Sequence, residues 1–356
     1  MGKTLIVLII VLFTIAKSSA QTTEVITAVT NDFLSTLNEQ QLHEISYDFN
    51  DSLRTKWTNL PVGLAPRPGI KYGDFSEESK IKFHHILTTL LSSQGYLKTT
   101  SIMKLDDILN EVYETAYKKK EIDDDLIKEL RDLKWDYTNY YVSIYGLPGP
   151  VDPWGFKFGG HHISLNLTVN GENYSVTPMF MGTDPAEVHT TKYAGLRVLS
   201  KEEDYGFLLI NALSEEQKKE ADLKMKVPED ILTNPNSSQR ITEYRGIKIA
   251  DFNPAQKAIL QWILREYIGN LEKDKAHLYL HKIEDSGIDE IYFAWSGSYV
   301  AQKPHYYIIN GPDFIIEYDN FGFQGVGNHI HSIWREKGND FGEDILKEHY
   351  LEHKHE

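Results

Sequence analysis

Cysteine is absent from all 356 residues. That excludes disulfides, a thiolate nucleophile and any cysteine-ligated metal. Stability has to come from a core, and a chain of this length can bury roughly 75% of its unfolded surface. Basic residues are scarce: 37 Lys and Arg face 52 Asp and Glu, a formal charge of −15. Such a chain is a poor partner for nucleic acid or an anionic membrane surface. The one basic cluster, Lys118 to Lys120, runs into "EIDDD" and reads as a solvated helix end. Several signatures of chemistry are missing as well. There is no GxxxxGK[ST], GxSxG or HExxH, and glycine-rich "WGFKFGG" has no helix directly behind it to hold a phosphate.

Long apolar runs are limited to one, Leu5 to Ala16, preceded by Lys3 and followed by Ser18, Ser19 and Ala20. It is shorter than the roughly 20 residues of a membrane span and has the layout of a cleaved signal peptide over residues 1–20. The expectation is a secreted or extracellular protein with no membrane association after signal cleavage. Loss of Lys3 and Lys17 takes the charge to −17. Export would make the sequons at Asn50, Asn166, Asn173 and Asn236 glycan acceptors, with Asn236, in the loop "TNPNSSQ", the most accessible.

What is present is a repeat. "GIKYGDFSEESK" (69–80) and "GIKIADFNPAQK" (246–257) share Gly-Ile-Lys and Asp-Phe at identical spacing, 177 residues apart. An apolar helical stripe follows each: Phe83, Ile86, Leu87, Leu90 and Leu91, then Leu260, Ile263, Leu264, Tyr267 and Leu271. Asn253 before Pro254 is a cap followed by proline at the first helical position. "LNEQQ" (37–41) and "LSEEQ" (213–217) open matching helices, and Ser214 with Gln217 and Ser200 with Glu203 have capping-box spacing. Farther on, "YYVSIYG" (140–146) matches "IYFAWSG" (291–297), and "FKFGGHHISLNLTV" (156–169) matches "YYIINGPDFIIEYDN" (306–320). The last two read as hairpins turning at Gly159-Gly160 and Asn310-Gly311. The predicted fold is an internally duplicated α+β domain over 21–356, with a first half of about 31–190 and a second of about 200–350. Helices would pack on about eight mainly antiparallel strands forming one sheet or open barrel.

Strand alternation then sorts the side chains. Ile163, Leu165 and Leu167 share a face with His161; His162, Ser164, Asn166 and Thr168 share the other. Phe314, Ile316 and Tyr318 form an apolar face, with Glu317 and Asp319 opposite. The turn "GFQGVG" brings "NHIHSIWRE" (328–336) back beside those carboxylates, with His329 and His331 pointing the same way. Imidazoles with one carboxylate form the usual ligand set for Zn, Cu or Fe. The expected centre is one divalent transition metal, Zn foremost, held by His162, Glu317, His329 and His331. His161 is the alternative to its neighbour, Asp319 would be general base or a support behind the ligands, and Arg335 would be anion clamp. Two histidines on a strand edge also serve as ordinary hydrogen-bonded polar residues. His84, His85, His277, His281, His353 and His355 lack this company of acids, and His349 lies in a helix expected to fold behind the strand.

The ordered runs "WGFKFGGHHISLNLT", "TPMFMGTDPAEV", "GLRVLSKEED", "PHYYIINGPDFIIEYDN" and "NHIHSIWREKGNDFGEDILKEHY" resemble the domain of unknown function 3500 family, from about Asn31 to Tyr350. Glu336 and Gly327 depart from that pattern, which has Asp and Ala there. The resemblance places the polar-face residues in the family's signature runs and implies no catalytic roles.

Together these readings point to a secreted metal-dependent hydrolase using metal-bound water on a small-molecule or extracellular substrate. A copper or iron oxidase would use the same ligands. A non-catalytic protein binding metal or a small ligand is the other reading, its pocket lined by Trp154, Trp295, Tyr307 and Trp334.

Overall fold

The alternating runs become strands of one open sheet, covered on both faces. The computed structural model describes residues 22–235, 241–322 and 325–352. The expected signal peptide, the Asn236 sequon, His353 and His355 lie outside the described residues. Twelve strands are present among the described residues, where the sequence suggested about eight. They are β1 (Ser46–Tyr47), β2 (Ile70–Lys71), β3 (Tyr141–Tyr145), β4 (Trp154–Gly160), β5 (Ile163–Asn170), β6 (Asn173–Ser175), β7 (Met179–Thr183), β8 (Ile247–Lys248), β9 (Tyr292–Gly297), β10 (His305–Asn310), β11 (Phe314–Asn320) and β12 (Ile330–Glu336). Those of two or three residues carry no readable alternation. The order is β1-β3-β4-β5-β7-β12-β11-β10-β9-β8, with β2 also on β3 and β6 on β5. Only β1 with β3 is parallel.

The helices are α1 (22–34), α2 (Glu39–Ile45), α3 (Glu77–Leu90), α4 (Ser93–Lys118), α5 (Asp124–Asp132), α6 (Ser200–Ala212), α7 (Glu215–Ala221), α8 (Pro254–Ile268), α9 (Lys273–Ser286) and α10 (Glu343–Glu352). None among the described residues is long and apolar enough to cross a membrane. Full capping boxes start α7 at Ser214 with Gln217 and α8 at Asn253 with Gln256. Ser200 does not cap α6: Leu199 holds that position, and Glu203 is drawn away by Arg197 and Asn320.

Both Gly-Ile-Lys segments run strand, 3-10 turn, helix. Gly69 and Gly246 adopt φ of +92° and +93°, and a Cβ on either would strike the carbonyl oxygen of Val142 or Phe293, so only glycine fits. The predicted stripes of α3 and α8 are buried on one sheet face against Phe156, Phe158, Leu165, Ile316 and Tyr318. Leu91 and Leu271 then bridge to each other as the chain leaves the two helices.

Both hairpins turn two residues later than expected. β4 and β5 close on the pair Gly160–Ile163, so His161 and His162 are the turn. In the second, Gly311 N donates to Phe314 O, so Pro312 and Asp313 turn. Proline cannot donate to a strand ladder, which ends β10 before it. The four aromatics proposed to line a pocket (Trp154, Trp295, Tyr307 and Trp334) are instead core residues. Of the described sequons, Asn166 is buried and donates to Ser164 Oγ and Pro178 O, whereas Asn50 and Asn173 are exposed.

His305 provides a pH test of this packing. Its ring is stacked between Trp295 and Tyr318, and Nδ1 donates to the Lys303 carbonyl. Nε2 has no hydrogen bond, although Glu203 lies 3.8 Å away. Burial lowers its pKa from 6.5 to about 4. Between those values the unfolded chain takes up a proton that the folded chain refuses, so stability falls as pH drops through the window. The expected loss is about 3 kcal/mol from this residue. Urea unfolding from pH 7 to pH 4 is expected to show that slope flattened in His305→Phe. Equal slopes would place the titration elsewhere.

Candidate metal centre

The displaced turn puts His162 where the sequence reading needed it. It adopts φ +64°, a left-handed conformation that histidine tolerates better than most residues. Its Nε2 lies 2.7 Å from His329 Nε2 and 3.3 Å from His331 Nε2, and the latter two are 3.0 Å apart. His329 precedes β12 and His331 is its second residue, so one strand edge presents both rings. Ligands about 2.0–2.1 Å from a tetrahedral zinc sit about 3.3 Å from one another, close to this spacing. No other set of three His, Asp or Glu ligand atoms among the described residues converges in this way.

Carboxylates stand behind two of the rings. His331 Nδ1 donates to Asp230 Oδ1 at 2.7 Å, and Asp230 Oδ2 is held by Asn59 Nδ2 at 3.0 Å. His329 Nδ1 is 3.6 Å from Asp184 Oδ2. A proton fixed on Nδ1 leaves the lone pair on Nε2, so at His331 the lone pair faces the other two rings. Burial, followed by the neighbouring imidazoles, holds His162 and His329 well below the usual histidine range, as neutral ligands require. Asp184 is pushed up to about 6, chiefly by burial. The side chains of His329 and His331 stay 23% and 13% exposed, so the cluster opens to solvent on one side.

His161 does not join the cluster. Its Nδ1 bonds Asp106 Oδ1 on α4 at 2.7 Å, and its ring stacks on that of His162 with centroids 3.6 Å apart. Gly182, opposite His331 on β7, is also close: a Cβ there would come 2.9 Å from His162 Cδ2.

Two expected residues, Glu317 and Arg335, stand apart, and a third, Asp319, lies beside the cluster. Glu317 pairs with Ile333, not His331, and its carboxylate accepts from Leu232 N, Thr233 N, Thr233 Oγ1 and Tyr306 OH. It anchors the loop covering this sheet face and lies outside the converging group. Alternation gave its face but not its register. Asp319 is directly across from His331. It is buried, Oδ2 has no hydrogen bond, and burial, followed by the Asp230 charge, pushes its pKa well up. Arg335 lies four residues along β12 from His331, about 13 Å at roughly 3.3 Å per residue. Its guanidinium is occupied by Thr233 and Asp340, so it does not reach the imidazoles.

Asp106, Asp184 and Asp230 went unread because they come from a helix and two loops with no periodic pattern tying them to the strands. Asp184, in "TPMFMGTDPAEV", was at least inside a signature run. Fold and site together define an α+β protein with three converging imidazoles. The chain belongs to the family described as "Protein of unknown function (DUF3500)", whose model matches residues 19–343. No curated protein and no solved structure matches it. At the two departures from the family pattern, Glu336 bonds Lys282, Tyr279 and Asn339, while Gly327 adopts φ +71° hard against the Lys303 backbone.

Proposed function

We propose that the protein is an exported metal-dependent hydrolase in which His162, His329 and His331 hold one divalent transition metal, zinc foremost. The observation that carries this is the trio of Nε2 atoms 2.7 to 3.3 Å apart, with the Asp230 bond turning a lone pair toward the common centre. With the lone pairs of His162 and His329 turned inward as well, the three would repel one another unless a cation lay between them. Three protein ligands with solvent access leave a coordination position for water, the pattern of catalytic zinc sites. The metal would supply a water acidified toward neutral pH and a Lewis acid for the substrate. Asp184, near pKa 6 and beside His329, is the acid–base group suited to move a proton there. The substrate is a small or extracellular molecule, and the apolar run at the N-terminus supports export. Among the described residues, Asn50 and Asn173, both exposed, are then sequons that glycans can reach.

The reading includes descent from a duplication. Beside the 177-residue offset of the Gly-Ile-Lys segments, its support is a second offset: Gly160 and Gly311, and Ile163 and Phe314, are 151 apart at the two turns. At the centre of the sheet, Ser332 pairs with Met181, again 151 apart. Elemental analysis is expected to find one metal per wild-type chain and none in His329→Ala/His331→Ala. Equal content in both, or none in either, would sink the metal reading. Metal without turnover of ester, amide or phosphate substrates would leave a binding protein.

A further inference from the structure

Two of the three imidazoles have a carboxylate behind Nδ1; among the described residues, no hydrogen bond reaches His162 Nδ1. Yet His162 has the greatest need of support. It sits in a two-residue turn at φ +64°, a conformation that costs a non-glycine residue about 1 kcal/mol or more. Its ring is fixed by contact, with the His161 ring on one face and the Gly182 backbone beside it.

His161 is in turn tied to α4. Asp106 Oδ1 bonds its Nδ1 at 2.7 Å, and Asp106 Oδ2 bonds the Tyr140 hydroxyl at 2.9 Å. That hydroxyl also lies 2.7 Å from the His161 carbonyl oxygen, so one buried network grips the turn through both side chain and backbone. The preceding residue is fitted to it: a Cβ on Gly160 would come 2.5 Å from the Tyr140 ring, and Arg67 holds the Gly160 carbonyl. Asp106, Tyr140 and His161 are all buried.

Resting on the metal reading above, we infer that Asp106 is the positioning residue for His162, acting through the stacked His161 ring where Asp230 acts on His331 by a direct hydrogen bond. Asp106 touches neither metal nor substrate. It fixes the plane of the His161 ring, and that plane sets the direction of the His162 lone pair. Loss of a group that orients a metal ligand typically weakens metal binding 10- to 100-fold.

The test uses cobalt(II) added to the metal-free full chain, with binding measured by competition titration and the visible ligand-field spectrum recorded. Asp106→Ala is expected to bind cobalt 10- to 100-fold more weakly and to show an altered spectrum. Asp106→Asn, whose amide oxygen still accepts the His161 Nδ1 proton, is expected to restore the wild-type spectrum. A purely structural role would lower the melting temperature of Asp106→Ala and leave affinity and spectrum unchanged, and that result overturns the proposal. If Asp106→Ala does not fold, His161→Phe, which keeps a flat ring against His162 but drops the tie to Asp106, is read by the same criteria. A wild type that takes up no cobalt overturns the metal reading and this proposal with it. Uptake unaffected by the variants overturns this proposal alone.

Discussion

Replacing Lys98 with alanine is expected to destabilise the protein by about 3–5 kcal/mol. Lys98 Nζ on α4 lies 2.7 Å from Glu202 Oε1 on α6 and 2.6 Å from Glu266 Oε1 on α8, with all three side chains almost wholly buried. Among the described residues, the only other cation in an ion pair with either acid is Lys201, 3.9 Å from Glu266 and largely exposed. One ammonium therefore serves two carboxylates in a place where water cannot. The strain is visible at Glu202, whose pKa burial pushes up and whose Oε2 has no hydrogen bond. Without Lys98, two acids remain face to face, and at least one must be buried uncompensated or take a proton. Breaking such a pair costs far more than the pair itself contributes. Lys98→Met with Glu202→Leu and Glu266→Leu is accordingly expected to recover most of the loss. Urea unfolding of the two variants at pH 7 checks both halves. A Lys98→Ala midpoint equal to wild type would mean that water reaches the site.

The second large effect is expected on removal of metal. A ligand bound only to the folded chain stabilises it by RT ln(1 + [L]/Kd), about 4 kcal/mol at a thousandfold excess over Kd. At an unfolding entropy of about 2.1 cal/mol/K per residue, a chain of this length should lose roughly 6 °C of melting temperature in chelator. Scanning calorimetry of the wild type with and without chelator is expected to show that shift. The His329→Ala/His331→Ala variant should melt at one temperature in both conditions. A shift in the variant as large as in the wild type would place the metal elsewhere. Asp230→Asn is expected to fall between, because the orienting bond to His331 is weakened while the ligand itself remains.

Much of this could be read before any coordinates. Alternation in "HHISLNLT" and "DFIIEYDN" separated the apolar, helix-covered faces of β5 and β11 from their polar faces, because a period of two is a local property of the chain. It also gathered His162, His329 and His331, the residues whose imidazoles meet. Where reading failed, the deciding information was non-local. Glu317 was on the correct face but two residues from the strand pair that faces His331, and register is set by partners that no single strand contains. It was also claimed by Leu232 and Thr233, from a loop without periodicity. The turns were assigned to Gly159-Gly160 and Asn310-Gly311, pairs usual in hairpins. Yet Gly160 is there to clear the Tyr140 ring and His162 takes the positive φ, which only the packed structure reveals. The adjacent pair His161 and His162 was left as a choice between two ligands. The choice is made by Asp106, fifty-five residues earlier on a helix that no pattern connects to the turn.

His162 and His329 are separated by 167 residues of chain and meet across the join between β7 and β12. During synthesis the earlier imidazole emerges long before its partners exist. A half-made polypeptide has no trio with which to capture an ion, so any metal this trio takes up would be acquired late in maturation. Its uptake would thereby report that both portions of the molecule have docked in the proper order.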